Sequence, residues 1–148
     1  MTEYIDPELL GIGLALALGL LIGTEREWED NKPLGMRTFA LLSAAGATAA
    51  VLAATYGGLI VVATLLAAAA LLITVLRQWT QGKDRGTGAT TAIAALVTFL
   101  IGDMAASGMW LDSVVLAAAM LLLLHWKKPL HQWVDRLGPE HFEIIARF

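Results

Sequence analysis

The sequence predicts an all-α integral membrane protein, with about five transmembrane helices and a C-terminal interfacial amphipathic helix. Three observations carry that prediction. The 148 residues are 57% hydrophobic and only 16% charged, with a mean hydropathy of +0.68, too little polar surface to cover a soluble domain of this size. Five apolar runs, roughly 9–24, 36–54, 57–76, 89–109 and 110–126, approach the roughly 20 residues that cross about 30 Å of hydrocarbon. All ten basic residues fall on one side of that arrangement. Positive-inside then places the N-terminus outside the cytoplasm and the C-terminus within it. Residues 1–126 form the five-span domain and 127–148 a cytoplasmic interfacial segment.

Span one is preceded by Glu3, Asp6 and Glu8 and by no Lys or Arg, so it reads as a membrane helix and not as a cleaved signal peptide. Its small residues Gly11, Ala15, Gly19 and Gly23 recur every fourth position. Such a stripe lets two helix backbones approach closely, within the chain or in a homodimer. If the helix continues past Gly23, Arg26 falls near the centre of the stripe, Asp30 within about 40° of it, and Glu25 and Glu27 about 100° to either side. Arg26 then points into the protein and needs partners, because an unpaired charge in a low-dielectric site is expensive.

Span two opens with "PLGMRT", which offers Arg37 as a second guanidinium for Glu25 or Glu27. It runs into span three through Thr55-Tyr56-Gly57-Gly58, short enough for an antiparallel hairpin. Span four starts at "GTGATT", Gly86 to Thr91, whose free N–H groups and hydroxyls could receive an anion or a carboxylate from span one. It repeats the small-residue pattern at Ala94, Thr98, Gly102 and Ala106, so spans one, two and four are expected to form the tight centre. It also carries Asp103, an acid within an apolar span and so a functional candidate by default, or a side chain that reaches the outer headgroups. A turn at Gly108 leads into span five. Beyond it, Leu130, Trp133, Val134 and Leu137 follow helical spacing among polar neighbours, which describes a helix lying at the interface. Trp28, Trp79, Trp110 and Trp126 mark span ends.

Other chemistry is excluded. The absence of cysteine removes disulfides, thiolate metal sites and Cys nucleophiles. A net charge of −3 gives no reason to expect nucleic acid. His125, His131 and His141 lack metal-ligand spacing, and no hydrolase, zinc-protease or phosphate-loop motif is present. No enzyme activity and no cofactor are expected.

The motifs "GLLIGTEREW", "PLGMRTFALLSAAGA" and "GATTAIAALVTFLIG" resemble the MgtC/SapB family of bacterial inner-membrane proteins. They are most similar to the subgroup in which this module is the N-terminal part of a larger membrane protein. The family's marks fall at Gly23, Glu25, Arg26 and Glu27; at Gly35, Arg37 and Thr38; and at Gly88, Thr90 and Thr91. Where that subgroup is expected to carry an acid after the Thr pair, this chain has Ala92. The resemblance implies a protein tied to growth under low magnesium and to stress, acting through membrane partners. Two functions follow as expectations. One is a regulatory or ion-homeostasis protein working through helix contacts with itself or a membrane partner. The other is a dimeric transporter or channel for a cation (Mg2+ or H+) or small solute, lined by Glu25, Arg26, Glu27, Arg37, Thr38, Thr90, Thr91 and Asp103. On either reading, Glu25, Arg26, Glu27 and Arg37 are expected to form a charge-paired knot joining spans one, two and four.

Overall fold

A computed structural model of the chain describes residues 6–27, 34–80 and 86–126. They form five helices: α1 (Pro7–Glu27), α2 (Met36–Tyr56), α3 (Leu59–Thr80), α4 (Gly86–Ala106) and α5 (Trp110–His125). The predicted spans match these helices to within a few residues. α1 to α4 are long and apolar enough to cross a membrane, whereas α5, with 16 residues, is shorter. The chain is an all-helical, multi-pass membrane protein. The expected amphipathic segment at 127–148 lies outside the described residues, as do Trp28 and Asp30.

Local chemistry sets the helix ends. Asp6 precedes Pro7, and its carboxylate accepts the Glu8 N–H at 3.1 Å, a side-chain cap on a proline-initiated helix. Gly57 (φ 92°) and Gly108 (φ 83°) occupy the two tight turns in the left-handed region that glycine reaches at low cost.

α1, α2 and α4 pack against one another, α3 lies over α2 and α4, and α5 over α4 and α1. The centre is built backbone on backbone. A Cβ at Gly19 would stand 2.9 Å from the Ala40 Cα and one at Gly23 2.6 Å from the Met36 Cα, both on α2. One at Gly11 would stand 2.8 Å from the Ala105 carbonyl oxygen on α4. The α1 stripe is therefore spent inside the chain. It is not free to serve as the face of a homodimer.

α2 and α4 meet at a single crossing. A Cβ at Gly102 would lie 1.9 Å from the Ser43 carbonyl oxygen, and one at Gly46 2.0 Å from that of Phe99. Fully buried Ser43 also donates its hydroxyl to the Ala15 carbonyl at 2.6 Å, which ties α2 to α1 where no water competes. The packed face of α4 includes the expected Ala94, Thr98 and Gly102, with Ala106 against Gly11 of α1, and widens to take in Thr91, Ala95 and Ala105.

Candidate functional site

Helix α1 does continue past Gly23, to Glu27, and this fixes the geometry of its last turn. Arg26 falls on the inward stripe and is only 1% exposed. Its Nη2 donates to the hydroxyl of Thr91 on α4, which is itself fully buried. A buried guanidinium keeps its charge and its five donors, so partners at this position are obligatory.

The two flanking acids diverge as their 100° offsets require. Glu25 turns toward α5, where the His125 Nδ1–H donates to its Oε1 at 2.9 Å. Glu27 turns toward α2 and accepts the Met36 N–H at 2.9 Å through Oε2. The residue before α2 is Gly35, which offers no side-chain cap of its own. A Cβ on Gly35 would stand 2.9 Å from Glu27 Oε2. The glycine thus leaves room for a carboxylate from another helix to cap α2, where its charge also meets the positive end of the helix dipole. Three consecutive residues of α1 bind three different helices.

The structure brings together only part of the predicted group. Glu25, Arg26, Glu27 and Thr91 join it. Arg37 does not: it points about 120° away from the packed face of α2, is exposed, and meets no acid among the described residues. Thr90 sits about 100° from Thr91 on α4 and is exposed as well. Half-buried Thr38 lies in the first turn of α2 and donates its backbone N–H to the Gly35 carbonyl at 3.0 Å. Asp103 is 12 residues beyond Thr91, about 18 Å along α4, near the opposite end of the bundle. His125, which lacks metal-ligand spacing, is nonetheless a member through Glu25. The signal for it is topological: α1 and α5 run the same way, so their last turns meet at one end.

Chemically the cluster is a set of ties. Glu25, Arg26 and Glu27 each reach a different helix through one side-chain atom, and among the described residues no group of His, Asp and Glu is arranged to hold a metal ion. Apart from Ser43, which reaches α1, hydroxyls within the bundle turn back on their own helices, as with Thr98 to the Ala94 carbonyl (2.8 Å) and Ser113 to that of Trp110 (2.8 Å).

The profile of the MgtC family matches residues 12–133 and so takes in the five helices almost completely. Protein SapB of Bacillus subtilis (strain 168) is 44% identical over 46 residues, 30% of this chain and 19% of that protein's length. The chain thus spans about a fifth of the curated relative it matches. No solved structure matches.

Proposed function

The chain belongs to the MgtC family, and on that premise we propose that it is a regulatory protein of the bacterial inner membrane, linked to magnesium homeostasis, that acts by contact with a membrane partner or a second copy. Its N-terminus faces away from the cytoplasm, in keeping with Arg26, Arg37 and Arg77 at one end of the bundle.

The observation that carries the reading is the centre of the bundle. Where α1, α2 and α4 meet, backbones touch at distances that would not admit a methyl group. A hydrated ion needs a lumen far wider than that, and a transport path would have to lie elsewhere. Contact then falls to the outer surfaces, above all to α3, which exposes Leu59, Leu66 and Leu71 by 83%, 64% and 68%.

Two measurements test this. Purified protein in liposomes should move magnesium, protons and phosphate no faster than protein-free vesicles. A photo-crosslinker in place of Leu66 should capture a membrane protein in the host cell, whereas one at Ala15 should react only within the chain. Flux above the blank, abolished by Glu25→Ala, overturns the contact reading.

A further inference from the structure

The charged residues of the helices bracket apolar runs of unequal length, and the short runs lie side by side. On α5 the run between Asp112 and His125 is Ser113–Leu124, 12 residues, or about 18 Å. On α1 the run between Glu8 and Glu25 is Leu9–Thr24, 16 residues, or about 24 Å. α2 and α3 are longer. Thr38–Tyr56 has 19 residues without a charge and Leu59–Leu76 has 18, about 27–28 Å each. α5 packs on α1 and α3 on α2, with α4 touching both pairs. The apolar belt on the α2–α3 side is therefore close to the roughly 30 Å of hydrocarbon in a typical bilayer, while on the α1–α5 side it falls short by about 6–12 Å.

A belt that is too short can be accommodated by snorkelling end groups, by cover from another protein, or by a thinner bilayer, whereas tilt only shortens it further. Snorkelling needs long side chains. The bracketing groups here are Glu8, Glu25, Asp112 and His125, and Glu25 and His125 are held to each other at 2.9 Å. The surface of α5 decides between the other two. Trp110 and Trp126, 42% and 57% exposed, stand at its two ends, 16 residues or about 24 Å apart. An exposed indole settles at the membrane–water interface, so the pair marks two interface levels closer together than an ordinary bilayer sets them. Between these levels α5 turns Val115, Leu122 and Leu123 outward, and α1 turns out Leu16, Leu20 and Leu21, as a lipid boundary requires.

We propose that the α1–α5 side of the bundle is a lipid-thinning surface, which draws the two leaflets together and collects short acyl chains against it. The α2–α3 side keeps a bilayer of ordinary thickness, so the molecule presents a wedge-shaped belt to the membrane. This goes beyond the regulatory reading and does not depend on it.

The cysteine-free chain allows a direct test with purified protein in dioleoylphosphatidylcholine vesicles. Single spin labels along the exposed faces of α5, from Leu111→Cys to Trp126→Cys, and of α3, from Leu59→Cys to Val75→Cys, report depth through collisions with oxygen and with a nickel chelate. The oxygen-rich window should be about 18–24 Å long on α5 and about 27 Å on α3. Asp112 is exposed, so Asp112→Leu should fold; it joins Trp110 and Leu111 to the run and should widen the α5 window by about 4 Å. A bimane at Val115→Cys should be quenched roughly twofold better by brominated 14-carbon chains than by 22-carbon chains at equal mole fraction, whereas one at Leu66→Cys should show no preference for the shorter chain. Windows of equal length, an Asp112→Leu variant with an unchanged window, or equal quenching at Val115→Cys each overturns the proposal. So does a Val115→Cys label that neither lipid quenches, the mark of a protein cover.

Discussion

Gly102→Ala tests the claim that backbone contact holds the centre together. The new Cβ would lie 1.9 Å from the Ser43 carbonyl oxygen and 2.7 Å from its carbon. Ordinary carbon–oxygen contact is near 3.4 Å, so α2 and α4 must part by roughly 1.5 Å. The obstacle is backbone and cannot swing away as a side chain would, which puts the cost at the upper end of overpacking, about 3 kcal/mol. Alanine regains about 1 kcal/mol in helix propensity. The net loss is about 2 kcal/mol, or close to thirtyfold in the ratio of folded to unfolded protein. Gly13→Ala is the control, because a Cβ there meets nothing within 4 Å; it should be neutral or slightly stabilising. Unfolding in mixed micelles with increasing sodium dodecyl sulfate measures both. If Gly102→Ala is as stable as Gly13→Ala, the backbone contact is not what holds α2 to α4.

Thr91→Val removes the hydroxyl that Arg26 donates to and should cost about 1.5–3 kcal/mol in the same assay, against less than about 0.5 kcal/mol for Thr90→Val. Glu27→Ala deprives α2 of its cap; a loss of about 1 kcal/mol is expected, with faster hydrogen exchange at the Met36 amide, and Glu27→Gln should recover most of it. The pairing of Glu25 with His125 is a surface contact, the imidazole being 70% exposed, so His125→Ala should change stability by no more than about 0.5 kcal/mol. Glu25→Cys with His125→Cys should form an intrachain disulfide on oxidation, seen as a mobility shift of the monomer; cross-linked dimers alone would refute the placement of α5.

What the sequence made legible follows from helix geometry. The spans could be read because long apolar runs have few alternatives, and Arg26 could be placed inside because a wheel needs only the phase of α1, which Gly11, Ala15, Gly19 and Gly23 supply. The partner on α4 was harder. Thr90 and Thr91 differ by 100°, and α4 begins at Gly86 where its apolar run begins three residues later, so its phase was not determined from composition. Arg37 has the right charge for the group, but the packed face of α2 turns it outward. The cap that Glu27 gives to α2 uses a backbone N–H, which no residue pattern marks. Gly46 repeats with Ala50 and Ala54, but α2 carries small residues all round from Ser43 to Ala50, so its role emerges only with the crossing.

The three contacts from the end of α1 also constrain the order in which the molecule can be made. Arg26 meets Thr91 65 residues later in the chain, and Glu25 meets His125 100 residues later. A ribosome delivers α1 to the bilayer long before either partner exists. Until α4 arrives, the guanidinium must keep its hydration at the membrane surface, so the newborn α1 sits higher in the bilayer than the finished one. Drawing it down into register is a late event in biogenesis, completed in step with the insertion of α4 and α5.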